Sequence, residues 1–265
     1  MHKIVDSHCH LDYEGLAENL PSMLKRCADV GVGLMLSISS RVANFSRLRE
    51  IAEAHDTVFC TVGTHPHNAH EEPDVTVADL VKLTQHPKVV GIGEAGLDYH
   101  YDLSPREAQM KGFRTHIACA RETGLPLVIH TREAEDDTAR VLEEEMAKGA
   151  FKAVLHCFTS QQWLAEKGVE LGLCVSFSGI LTYKNAEDLR TTARVLPINN
   201  LLVETDAPFL APVPFRGKSN EPSFVVKTLE QLANVRGVSS DEMAKITSDN
   251  FFRLFNKVPR PADFI

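Results

Sequence analysis

Positive charge is scarce in this sequence. Its 28 Lys and Arg are outnumbered by 36 Asp and Glu, a formal net charge of -8. That balance excludes the broad basic surface that holds nucleic acid regardless of sequence, because such a grip neutralises many phosphates at once. Binding of phosphate at a local site stays open. The six cysteines, Cys9, Cys27, Cys60, Cys119, Cys157 and Cys174, include no CxxC pair, so they read as buried thiols of a reducing cytosol rather than as a disulfide framework. No run approaches the ~18 apolar residues of a membrane span. The N-terminal "MHKIVDSHCHLD" has neither the apolar stretch nor the small-residue cleavage site of a signal peptide. A cytoplasmic protein without membrane contact is expected. No linker rich in Pro, Gly or Ser divides the 265 residues, a length that one α/β barrel domain accommodates.

What the sequence does contain is alternation. Apolar runs of strand length lie at Lys3–Ser7, Gly33–Ile38, Val58–Val62, Val89–Gly93, Pro126–His130, Ala153–His156, Cys174–Phe177 and Leu201–Glu204. Segments of helical period separate them, among them "REAQMKGFRTHIACARETG" and "REAEDDTARVLEEEMAKG". Ser104 in "SPRE" and Ser239 in "SSDE" are expected N-caps, each with a Glu three residues on. Gly31, Gly124, Gly149 and Gly172 are expected to end helices just before a strand. Strands that read as nearly continuous Val, Ile and Leu between helices imply a parallel sheet covered by helices. Eight such units predict a TIM-like (β/α)8 barrel forming one domain over residues 1–265. An open doubly wound sheet is the alternative, but its Gly-rich phosphate loop is missing; "SHCHLD" follows the first strand instead.

Chemistry-bearing side chains gather where these strands end. Strand one ends in Asp6, His8 and His10, strand three in His65 and His67, and strand four in Glu94 and Asp98. Strand five ends in His130 and Arg132, strand six in His156, and strand eight in Glu204 and Asp206. A barrel gathers its strand ends at one face, where enzymes of this architecture keep their active sites. Two imidazoles two apart on an extended backbone also face one way. Each residue alone has a structural reading as a satisfied polar group. Together, His8, His10, Glu94, His130, His156 and Asp206 would bury several polar groups at a cost that metal binding offsets. Nitrogen and oxygen donors without sulfur suit Zn, Mn or Mg, and six exceed one tetrahedral site. Two divalent ions with a carboxylate between them fit better, and Glu94 is the candidate bridge. Asp98 and Glu204 are expected to brace ligands or loops, Glu204 from the same strand face as Asp206. His67, His70 and His100 read as loop residues.

The series "DSHCHLD", "VGTHPH", "GEAGLDYH", "PLVIHTREAE", "LHCFT", "LLVETDAPFLAP", "RGKSNEP" and "DNFFRLF" resembles, in order and over essentially the whole chain, the TatD family of metal-dependent deoxyribonucleases within the amidohydrolase superfamily. The resemblance implies His8, His10 and Asp206 on one ion, His130 and His156 on the other, and Glu94 between them. "HCFTS" departs from the expected Ser-Gly after "HCF". The implied reaction is attack of a bridging hydroxide on a phosphodiester, with Asp206 as ligand and general base. The implied substrate is DNA, trimmed from single-stranded 3' ends, with no obligatory protein partner. His65 and Arg132 are candidates to hold phosphate oxygens. Arg216 either holds phosphate or braces its loop, and Tyr99 and Phe209 either stack on a base or pack in the core. The alternatives are an esterase of amidohydrolase type, a D-aminoacyl-tRNA deacylase, and a binding protein that keeps the ions as structural staples.

Overall fold

The computed structural model of the protein describes residues 2–264. Within them, eight strands form one sheet in sequence order: β1 Ile4–Cys9, β2 Val32–Ser37, β3 Val58–Val62, β4 Val89–Asp98, β5 Leu127–Arg132, β6 Ala153–Leu155, β7 Cys174–Phe177 and β8 Leu201–Val203. Every neighbouring pair is parallel. The ring closes where Asp206 N donates to His8 O at 2.9 Å and His10 N to Ala207 O at 2.8 Å, next to a bridge between Cys9 and Ala207. The helices are α1 Leu20–Asp29, α2 Phe45–Ala54, α3 Val77–Leu83, α4 Arg106–Thr123, α5 Glu135–Lys148, α6 Gln162–Glu170, α7 Glu187–Val195, α8 Val225–Arg236 and α9 Ser240–Leu254. This is the (β/α)8 barrel, and no helix among the described residues is long and apolar enough to cross a membrane.

Strand alternation divides the core in two. Val5, Leu34, Phe59, Val90, Val128, Val154, Cys174 and Leu202, one from each strand, pack together inside the barrel. Phe251, Phe255 and Phe264 join this cluster from the C-terminal segment. The opposite faces pack against the helices in a second, larger cluster that includes Ile4, Met35, Val89 and Ile129. Among the described residues the barrel interior is therefore packed at the end carrying the C-terminal aromatics, which leaves its other end for a site.

Local signals behave unequally. Ser239 caps α9, accepting from Glu242 N at 3.1 Å, and Gly31, Gly124, Gly149 and Gly172 all have positive φ. Ser104 is not a cap. Pro105 occupies that position without a side-chain bond, while the Ser104 hydroxyl is buried and donates to His67 O at 2.8 Å. All six cysteines are free thiols, five of them buried and Cys157 half-buried.

Two irregularities in the sheet serve the site. Strand β4 runs five residues beyond its expected end at Gly93. Between Ile92 and Ala95 it holds one residue more than β5, and Glu94 sits in that bulge. A similar shift between Asp6 and Cys9 on β1 holds His8. Bulges re-aim side chains, and here both aim toward the barrel axis. Gly96 makes the approach of β4 to β5 possible: a Cβ there would fall 1.9 Å from His130 O.

Candidate metal centre

The expected ligands converge. His8 Nε2 lies 3.3 Å from His10 Nε2 and 3.5 Å from Asp206 Oδ1, and His10 Nε2 lies 3.5 Å from the same oxygen. Donors ~2.0 to 2.1 Å from a shared ion in a tetrahedron stand ~3.3 to 3.4 Å apart, so this nearly equilateral triangle has the edge length of a metal site. His8 Nε2 is also 3.4 Å from Glu94 Oε2. The other oxygen of Glu94, Oε1, meets His156 Nε2 at 2.7 Å and His130 Nδ1 at 2.9 Å. Glu94 thus divides its two oxygens between two groups of imidazoles.

Tautomers follow from what lies behind each ring. His10 Nδ1 faces the carbonyl of Ile38 at 3.2 Å, His156 Nδ1 faces Glu204 Oε1 at 3.2 Å, and His130 Nε2 faces Asp98 Oδ2 at 2.9 Å. Each partner can only accept, so each of these nitrogens carries the proton. The inward nitrogens, His10 Nε2, His156 Nε2 and His130 Nδ1, then present lone pairs to carboxylates. Lone pairs and carboxylates repel unless a proton or a cation lies between them. In the protein alone, protons answer. Burial disfavours imidazolium at His156, yet Glu94 and Glu204 outweigh it and hold the ring well above its ordinary pKa. His130 is raised against burial by Asp98 and Glu94, and His10 by Asp206. Glu94, whose burial would raise it, is held well below the carboxylate range, chiefly by His156. A divalent cation answers the same charges, and an outward N–H held by a carboxylate or carbonyl is the usual support of a ligating histidine. His8 Nδ1 is buried without a hydrogen-bond partner among the described residues, so that ring's polar contacts all lie at Nε2. The donor set fits divalent ions.

The floor below is braced by Asp6, fully buried and pushed up to about 8 by burial. It accepts from Thr205 N at 2.9 Å and Thr205 Oγ1 at 2.5 Å, tying β1 to the segment that carries Asp206. Asp206 has a left-handed backbone, φ 57, a conformation that Asp tolerates better than most residues. Glu204 does not share a strand face with it, because β8 stops at Val203; Glu204 serves His156 instead.

A cavity of about 1520 Å3 opens over these groups. His65 lies at its wall with Nε2 3.4 Å from Glu94 Oε1, while its Nδ1 accepts from His67 N at 3.1 Å. Its proton is therefore on Nε2, and burial pulls its pKa down to about 4, so His65 is a neutral donor facing the site. Arg132 stacks on Tyr101 with its guanidinium carbon 4.7 Å from the ring centroid. Phe209 is 47% exposed and lines the cavity, not the core. Tyr99 is engaged elsewhere: its hydroxyl donates to Asp137 at 2.6 Å and Arg106 covers its ring. His67 is no mere loop residue, since Asp98 Oδ2 holds its Nε2 at 2.8 Å alongside His130. Its two-residue spacing from His65 repeats that of His8 and His10 and was the available signal. His70 and His100 stay outside, bonded to Ser104 and Glu133. Tyr101 and Tyr183, which also line the cavity, are not among the expected site residues.

A family profile described as TatD related DNase matches residues 5–256. The chain belongs to the TatD-related DNase family. It is 42% identical over 256 residues to the metal-dependent hydrolase YcfH of Escherichia coli, covering 96% of each chain. It is 35% identical over 246 residues to the 3'-5' ssDNA/RNA exonuclease TatD of Erwinia tasmaniensis, covering 91% of this chain and 95% of that one. The crystal structure of YjjV, a TatD homologue from Escherichia coli, superposes with a TM-score of 0.89 at 31% identity, over 97% of this chain and 98% of that one. The match spans nearly the whole barrel, not one motif.

Proposed function

We propose that the protein, a metal-dependent hydrolase of the TatD-related DNase family, uses two divalent ions to trim DNA from single-stranded 3' ends. The observation that carries this reading is the set of inward lone pairs on His10, His130 and His156, each facing a carboxylate and each fixed by an acceptor behind its ring. His8, His10 and Asp206 would hold one ion, His130 and His156 the other, and Glu94, with one oxygen toward each group, would join them. The ions, Mg, Mn or Zn, supply Lewis acidity when bound, polarising the phosphoryl group and making water a competent nucleophile at neutral pH.

The chain's own groups do the rest. Asp206 is ionised at neutral pH, its pKa lowered against burial by the imidazoles around it, His10 first, so it can take the proton of the attacking water and pass it to the leaving 3'-oxygen. His65 Nε2–H and the guanidinium of Arg132 are donors for the non-bridging phosphate oxygens. Phe209, edge-on to His10 and Tyr13 at 6.3 and 5.8 Å, offers an exposed face on which a terminal base can stack. The homologue named a 3'-5' ssDNA/RNA exonuclease supports a single-stranded terminus as substrate.

The test is a panel run side by side in Mg or Mn, with and without chelator: a 3'-labelled single strand, a lactone, a simple ester and an aminoacyl-tRNA. Progressive release of mononucleotides from the labelled end, abolished by chelator, is expected. Turnover of only the carbonyl esters would overturn the nuclease reading. Metal analysis is expected to give close to two ions per chain, and Glu94→Ala should lose both.

A further inference from the structure

Arg216 has no structural duty of the usual kind. Among the described residues its guanidinium forms no hydrogen bond or ion pair to a protein group, in common with the guanidinium groups of Arg132 and Arg47, although the backbone carbonyl of Arg132 accepts from Tyr99 N. Other arginines hold carboxylates, as Arg26 holds Glu221 and Arg114 holds Glu145, or backbone carbonyls, as Arg236 does. Arg132 and Arg216 both line the cavity over the metal centre. Both also use one device: each guanidinium lies over a tyrosine ring, Arg132 on Tyr101 at 4.7 Å and Arg216 on Tyr183 at 4.4 Å. Stacking fixes the plane of the guanidinium and leaves its N–H edge free for an oxyanion.

The seat of Arg216 is built. The Tyr183 hydroxyl donates to Ala211 O at 3.0 Å. Arg190 holds the carbonyls of Leu181 and Tyr183 at 3.1 and 2.8 Å. Val213 N donates to Thr182 Oγ1 at 2.8 Å, joining the loop after β7 to the loop after β8. The two loops meet so closely at Gly179 that a Cβ there would lie 2.2 Å from Leu210 O. Arg216 therefore does not brace its loop; the loop is braced without it and presents it. Arg132 ends β5 while Arg216 follows β8, so strands β6 and β7 separate the two on the cavity wall.

We propose that Arg216, seated on Tyr183, binds the phosphate next upstream of the scissile one, so that the site reads two successive phosphates of the strand. The proposal rests on the nuclease reading above. A strand cut at its 3' end keeps all its other phosphates on the 5' side of the cleaved bond. A second anion holder in the same cavity, away from Arg132, can therefore be met only by the upstream phosphate. Arg216 is a positioning residue for the leaving strand, and its contribution vanishes when that phosphate is missing.

Two dinucleotides separate the cases: one with a 5'-phosphate, which carries both phosphates, and one with a 5'-hydroxyl, which carries only the scissile one. For the wild-type protein kcat/KM is expected to favour the phosphorylated dinucleotide by about 10- to 100-fold, the range of a charge-assisted bond. In Arg216→Ala that preference should fall close to one. Arg216→Lys should restore part of it, through charge without the fork. Arg132→Ala should slow both substrates and leave the preference in place. A wild-type protein indifferent to the 5'-phosphate, or an Arg216→Ala variant that slows both dinucleotides equally, overturns the proposal. If the wild-type protein cleaves neither dinucleotide nor a longer strand but turns over esters, the nuclease reading itself has failed, and this inference goes with it.

Discussion

Glu204 Oε1 lies 3.2 Å from His156 Nδ1, while the other nitrogen of that ring faces Glu94 at 2.7 Å. The buried carboxylate of Glu204 touches no group that would touch substrate, yet it decides which nitrogen of His156 carries the proton. Glu204→Gln keeps the size and replaces the acceptor by an amide that can also present N–H. The orientation of His156 then loosens, and turnover should fall by about 10- to 100-fold with weaker retention of metal. Parallel measurement of turnover and metal content against chelator concentration checks this. Unchanged values for both would mean that Glu204 only fills space.

Away from the site, Glu145 on α5 is buried and gathers Lys148 Nζ at 2.6 Å, Arg121 at 2.9 Å and Arg114. Burial raises its pKa, but these three cations outweigh it and bring it down to about 2. A carboxylate depressed by folding contributes stability that is complete above its unfolded pKa, near 4.5, and is lost as pH falls toward 2. Glu145→Gln should therefore be less stable at pH 7 by roughly 1 to 3 kcal/mol. The gap to the wild type should close between pH 4.5 and 2. Urea midpoints for both proteins across that range test it, and a gap that does not depend on pH would assign the effect to packing.

The barrel was legible because a buried parallel strand must be apolar on both faces, and eight such runs leave little choice of architecture. The six candidate ligands were legible for the same reason: they interrupt apolar runs at one end of each. The bulges holding His8 and Glu94 were not. A bulge is defined by the register of a partner strand, so "GEAGLD" shows where a glycine is needed but not which residue turns inward. Ser104 misled because a serine before a proline and a glutamate looks like a cap, whereas here its hydroxyl serves the loop of His67 and His70. The seating of Arg216 on Tyr183 depends on two loops about 30 residues apart in the chain, a relationship that no local pattern encodes.

The negative net charge and the placement of donors inside a cavity set the expected binding behaviour. With a few local groups in place of a basic surface, the logarithm of affinity should fall only shallowly with the logarithm of salt concentration, at a slope matching about two to three phosphates. A site at the mouth of a closed barrel should also take a chain end far more readily than a continuous strand, so circular single-stranded DNA should resist cleavage under conditions that degrade the linear form. A steep salt slope, or circles cut as fast as linear strands, would show an open groove and an endonuclease.

The two duties proposed for Asp206, ligand and general base, can be separated by one substitution. Its Oδ1 stands 3.5 Å from both His8 Nε2 and His10 Nε2, the position of a ligand, and it lines the cavity, the position of a base. Asp206→Asn retains an oxygen that can coordinate but removes the group that takes a proton, because an amide oxygen is scarcely basic. Metal content should fall modestly. Turnover should fall by about 100- to 10,000-fold, the usual contribution of a general base. Asp206→Ala removes both duties and should lose metal as well as rate, so comparing the two variants on the same samples separates coordination from proton transfer. Should Asp206→Asn keep its rate, the proton is taken by another group, and Glu94 is then the carboxylate next to be tested.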